Sequence, residues 1–235
     1  MPLQSPQLTQ FTTSSAQLVN FDWTDFASGV GYTSFYGVGM EDDSGSIYKL
    51  SANVLLDKYQ QGSNASTAQK DNHRVSTAAG TTTELIDVTF NTDAFNIART
   101  VKGDVFVAIP FSAYSPSGAT SWHCTVSVDF LQNSTVIATN GSEERSTTGS
   151  GVTGGDYFLF PIAVPLTDFK VGDTMGITIR FNGWKESDAN TVGFMMAYNS
   201  QNTAITATDA AGDAQERQAL TNTQMRIDVP FRIDE

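Results

Sequence analysis

Apolar residues recur at every second position through much of the chain, which is the period of a β-strand with one face buried. Met225, Ile227, Val229, Phe231 and Ile233 alternate with Arg226, Asp228, Pro230, Arg232 and Asp234. The same alternation runs through Trp122, Cys124, Val126, Val128 and Phe130, through Val105, Val107, Ile109 and Phe111, and through Met175, Ile177, Ile179 and Phe181. Shorter sets are Ile86, Val88 and Phe90; Phe95 and Ile97; and Val192, Phe194, Met196 and Tyr198. Strands are also expected at about 30–37 and within 47–56. Residues 157–164 are almost wholly apolar, which predicts a strand covered on both faces or one at a sheet crossover. Pro230 has no N–H, so the closing strand is expected at a sheet edge or with a bulge. Its alternating charges suit an edge, where they discourage unwanted pairing.

Three polar stretches, 57–83, 139–155 and 199–222, read as long loops. Only 209–220, rich in alanine, has the spacing of a short helical turn. Residues 1–20 carry Gln, Ser and Thr with two prolines and scattered apolar positions, the composition of an extended arm. The pattern predicts an all-β antiparallel sandwich, jelly-roll-like, of about eight to ten strands. Two sheets that each bury one face solve the packing problem without helices. The expected organisation is an arm over 1–20 and a single domain over 21–235.

Composition narrows the partners. Thirteen Lys plus Arg against twenty-five Asp plus Glu give a net charge of −12, which disfavours direct nucleic-acid binding, since that affinity rests on basic side chains. Charged residues are only 16% of the chain, so the expected surface is neutral and polar. The single cysteine, Cys124, excludes an intrachain disulfide and leaves stability to packing. No basic, apolar leader opens the sequence and no long apolar run crosses it. Cytoplasmic synthesis without membrane insertion is the expectation. Asn64, Asn133 and Asn140 head matches to the glycosylation acceptor pattern, which arise readily by chance in a chain so rich in Asn, Ser and Thr.

Candidate chemistry is sparse. His73 falls in a polar loop, while His123 and Cys124 are strand neighbours facing opposite sides and cannot share a metal. Glu41, Asp42 and Asp43 lack the spacing of a calcium loop and read as a solvated turn. Asp87, Asp129, Asp173 and Glu186 are expected to face outward, yet nothing in the sequence fixes the separation that paired-carboxylate hydrolysis needs. Residues 149–155 share only glycine content with a phosphate loop. Trp23, Tyr32, Tyr36, Trp122 and Trp184 offer rings for sugars, with packing or subunit contact the commoner use of aromatics. No catalytic, cofactor or metal site is expected.

Three segments taken together, Gly31-Tyr-Thr-Ser-Phe-Tyr-Gly37, Phe169-Lys-Val-Gly-Asp-Thr-Met-Gly-Ile-Thr-Ile179 and Val229-Pro-Phe-Arg-Ile-Asp234, resemble β-rich virion structural proteins of environmental and marine viruses or tailed phages. Many of these end in a strand like Val-Pro-Phe-Lys-Ile-Asp; Arg232 stands where lysine is expected. The resemblance implies a capsid-associated subunit of the virion, a decoration, cement or minor capsid protein without enzymatic activity. Its implied partners are other copies of itself, through the sandwich and the arm, and a major capsid protein. The alternative is a tail or spike module that binds host glycans, and a glycan-cleaving enzyme ranks behind both.

Overall fold

The computed structural model describes residues 30–42, 45–53, 70–75, 78–115, 122–147, 151–152, 156–186, 192–202, 205–208, 217–220 and 223–232. The expected arm, Trp23 and Asn64 lie outside them. All regular structure among the described residues is β: β1 (Val30–Asp42), β2 (Gly45–Ser51), β3 (Lys70–Val75), β4 (Thr83–Asn91), β5 (Arg99–Ser115), β6 (Trp122–Gln132), β7 (Thr135–Thr147), β8 (Gly151–Val152), β9 (Asp156–Phe169), β10 (Met175–Lys185), β11 (Val192–Ala197), β12 (Ile205–Thr208), β13 (Arg217–Leu220) and β14 (Arg226–Arg232). The expected all-β sandwich is what the structure shows.

Ten strands follow one path, β3-β11-β5-β14-β1-β2-β4-β10-β6-β7, with β8 and β9 pairing β5 off it; β12 and β13 pair separately. The described pairings are antiparallel except β2 with β4, a single parallel bridge at Lys49 and Asn91. Long β5 organises one layer, pairing β9 along one side and β14 and β11 along the other. The second layer is β4-β10-β6-β7. Between them the alternating apolar faces meet, as the periodicity predicts. Phe158 of β9 stands edge-on to Phe181 of β10 at 6.0 Å, and Phe169 to Phe130 at 6.4 Å. Cys124, Val126, Val128 and Phe130 are fully buried.

The β6–β7 hairpin turns on Asn133 and Ser134, both with positive φ (49° and 64°), the type I′ geometry that matches strand twist. Asp173 accepts hydrogen bonds from Asn133 Nδ2 (2.7 Å), Gln132 Nε2 (3.0 Å) and the Lys170 amide (2.8 Å), tying this hairpin to the turn before β10. These donors, Asn133 first, hold the Asp173 carboxyl below its ordinary value.

Several elements depart from the pattern. Within the first two polar stretches lie β3, the distal part of β7 and β8, because polar strands carry no apolar alternation to reveal them. In the third, β12 and β13 occupy a third of the expected loop; 217–220 is strand, and the rest of the expected helical turn, 209–216, lies outside the described residues. Phe95 and Ile97 form no strand: Phe95 packs on the core, where it meets Phe169 edge-on at 5.5 Å, while Ile97 is exposed. β14 is not an edge; it lies between β1 and β5. Pro230 is accommodated at the register shift between Asp228 and Phe231, the bulge that relieves a strand of a missing donor. Finally, β9 is covered on one face only, leaving Leu159 63% exposed and Leu166 66% exposed.

Candidate functional site

The outer face of β9, β5, β14 and β1 exposes two large apolar side chains, Phe106 and Leu159. Cross-strand register sets its side chains in rows. One row reads Leu159, Ala108, Arg226, Tyr36, and the next reads Pro161, Phe106, Asp228, Ser34. The sequence folds this way because the inner partners of these residues, Val107, Phe160, Ile227 and Phe35, are core, and alternation sends their neighbours outward. Phe106 is 45% exposed and lies 5.9 Å from the ring of Tyr32. Over Ala108 lies a groove of about 150 Å³, walled by Phe106, Leu159, Pro161, Arg226 and Asp228.

The polar side of the face is organised. Asp228 accepts from Ser34 Oγ at 2.6 Å, and its other oxygen accepts from Arg226 Nε at 3.0 Å and lies 2.8 Å from Arg226 Nη2. Tyr157 lies on the same strand as Leu159, and burial pushes its hydroxyl above the ordinary phenol value. Sheet extension along β9 is blocked at its outer edge. The Pro161 carbonyl points towards β7 and accepts from Asn140 Nδ2 at 2.6 Å, and neither Pro161 nor Pro165 has an N–H to offer a new strand.

The opposite outer face, on β4, β10, β6 and β7, gathers five of the sequence candidates, Asp87, His123, Asp129, Trp184 and Glu186. Arg180 lies between Asp129 (Nη1 to Oδ2, 2.5 Å) and Asp87 (Nε to Oδ2, 3.8 Å). Hydrogen bonding to Asp129 raises the guanidinium further above its ordinary value. Asp129 also accepts from Thr139 and is buried, not outward-exposed as expected. Arg180 thus links β10 to Asp129 on β6 and Asp87 on β4 as a cross-strand charge cluster. His123 bridges Glu144 (Nδ1, 3.2 Å) and Glu186 (Nε2, 2.8 Å) and stacks on Trp184 at 4.8 Å with the rings 5° apart. Both ring nitrogens can donate only in the imidazolium form.

Other candidates separate. Cys124 is buried and faces away from His123. Trp122 is core. His73 falls on strand β3, opposite Phe194, and not in a loop. Glu41 and Asp42 end β1 instead of forming a turn, and Asp43 lies outside the described residues. Of residues 149–155 only Gly151 and Val152 are described, paired with Ser115 and Tyr114. The side-chain amides of Asn133 and Asn140 are committed to Asp173 and Pro161. Among the described residues no group of three His, Cys, Asp or Glu is placed to hold a metal ion, and no helix is long and apolar enough to cross a membrane. Tyr32 and Tyr36, expected as exposed rings, are half-buried on this face. Phe106 and Leu159 were not legible as exposed, since their alternation partners mark them only as strand residues.

No protein-family model matches the chain, and no curated protein does. Among solved structures it is similar to an α-amino acid ester hydrolase (8% identity, TM-score 0.41), covering 85% of this chain and 36% of that one. An aminopeptidase from a marine sediment Thaumarchaeota archaeon (7%, 0.39) is covered over 37% of its length, against 87% of this chain. A CocE/NonD family hydrolase from Staphylococcus aureus (9%, 0.40) is covered over 36%, against 86% of this chain. The chain thus spans little more than a third of these proteins, and at such scores the likeness carries no argument about activity.

Proposed function

We propose that the protein is a non-catalytic structural subunit of a virion, a decoration, cement or minor capsid component. The observation that carries this reading is the pair of large exposed apolar side chains, Phe106 on β5 and Leu159 on β9, on one outer face. Large exposed side chains clustered on a sheet are what a subunit buries on assembly. The charges at the middle of that face, Arg226 and Asp228, cancel, so it is a place where chains of net charge −12 meet with little repulsion. The particle setting comes from the sequence resemblance. Mass spectrometry of gradient-purified particles tests it: the chain is expected at a fixed stoichiometry to the major capsid protein, and its absence from particles contradicts the proposal.

A second reading, a tail or spike module that binds host glycans, has one observation in its favour. The Trp184 ring stacks on His123, whose two nitrogens contact the carboxylates of Glu144 and Glu186, so aromatic surface and acceptors for hydroxyl groups belong to one cluster. Glycan-array binding that disappears in Trp184→Ala would support it.

A further inference from the structure

We propose that two copies of this chain pair face to face through the outer surface of β9, β5, β14 and β1, about a two-fold axis running between the Leu159–Tyr36 and Pro161–Ser34 rows. This names the partner for the assembly role proposed above and rests on that reading. The argument comes from register. An axis lying in the contact plane, perpendicular to the strands and midway between the rows, lays the first row of one copy on the second row of the other. Leu159 then meets Pro161, Ala108 meets Phe106, Arg226 meets Asp228 and Tyr36 meets Ser34, following the described strand pairings. Each apolar contact sets a large side chain over a smaller or flatter one. The charged contact sets opposite signs together, and the last sets a phenol beside a hydroxyl.

Size agrees as well as charge. The groove over Ala108 is about 150 Å³, a space that in another protein accepts a benzene ring, and the side chain that the axis brings to it is Phe106. The four central charges, two Arg226 and two Asp228, alternate in sign around the axis. Isologous contacts of this kind need one patch to be complementary to itself, and these two rows meet that condition position by position. The net charge of −12 opposes contact through more acidic parts of the surface, which favours this one. β-Augmentation at the outer edge of β9 is not an alternative route, because Pro161 and Pro165 supply no N–H and Asn140 already holds the Pro161 carbonyl.

The test is a mixing experiment on the full chain, read by native mass spectrometry and light scattering. Wild type is expected at twice the 25.3 kDa of one chain in the micromolar range. Arg226→Asp places four negative charges around the axis and Asp228→Arg places four positive ones, so each variant alone is expected to be monomeric. Mixed in equal amounts, they are expected to form a heterodimer, since two acids on one copy then face two arginines on the other. An effect confined to the Arg226–Asp228 pair within one chain is not rescued by mixing. Leu159→Glu, at a position too exposed to disturb the fold, is also expected to be monomeric, with an unchanged circular dichroism spectrum. A monomeric wild type, variants that keep the wild-type mass, or a mixture that stays monomeric overturns the interface. A monomeric wild type whose glycan-array binding is lost in Phe106→Ala also overturns it, and gives the face to sugar instead. A chain that pairs this way yet is absent from particles contradicts only the virion reading.

Discussion

Replacing Phe231 with alanine is expected to destabilise the sandwich by about 3–5 kcal/mol, the usual loss for deleting a buried aromatic ring. Phe231 is 6% exposed and sits where β14 pairs with β1 at Gly31 and with β5 at Val101, just past the bulge. Its ring stands edge-on to Phe35 at 6.3 Å and to Phe95 at 6.2 Å, and the Arg99 guanidinium lies over it at 5.1 Å. Each aromatic pair adds about 0.5–1.5 kcal/mol beyond area burial. Arg99, whose pKa burial lowers, loses the ring that compensates its partial desolvation. Gly31 has no side chain to move into the hole, and strands paired on both sides restrict collapse, which places the loss towards the upper end. Urea unfolding followed by tryptophan fluorescence measures it. With a slope of about 2–3 kcal/mol per molar, the midpoint falls by about 1–2 M while the slope stays unchanged. A loss under about 1 kcal/mol would refute the interior placement of β14 and make its apolar face a subunit contact.

Three further perturbations bear on other parts of the fold. Gly183→Ala places a Cβ 2.7 Å from Phe194 Cε2 and 2.8 Å from Leu85 Cδ1; Phe194 is held by Phe181 and Trp122, so thermal unfolding should show a loss of about 1–3 kcal/mol from overpacking. Ser134→Gly removes a side chain at φ 64° and creates the Asn-Gly turn preferred in two-residue hairpins, so stability should rise by about 1 kcal/mol in the same assay. Asp173 has a folded pKa below its unfolded one, so its contribution is present above the unfolded value of about 3.9 and is lost as pH falls through the folded value. Asp173→Asn should therefore weaken the protein at neutral pH and flatten its stability profile below about pH 4; parallel wild-type and variant profiles would show that the hydrogen bonds to Asp173 contribute nothing.

What the sequence reveals and conceals follows from how a strand is covered. β6 and β10 have one face on the core and one in contact with water or polar neighbours, so Trp122 to Phe130 and Met175 to Phe181 announce themselves by period two. β11 is buried throughout, including Met195 and Ala197, so alternation reports only half of its core residues. β3, the distal part of β7 and β8 lack apolar alternation and read as loops. Residues 157–164 show the converse limit: an unbroken apolar run says both faces avoid polarity, but not that both are covered. Leu159 is apolar and exposed, and that mismatch is the signature of the proposed contact. Arg226 and Asp228 were visible as the polar side of the last strand. Their alignment with Phe106 and Leu159 was not, because it depends on the register of four strands far apart in sequence, one near each end of the chain and two from its middle.

Electron microscopy of the intact particle at a resolution that separates strands tests the central claim most directly. The account predicts a sandwich bound to the shell, with the β9–β5–β14–β1 face turned onto the same face of a second copy and Phe106 enclosed. A sandwich whose Phe106 face looks into solvent, or particles that lack the protein, would contradict it.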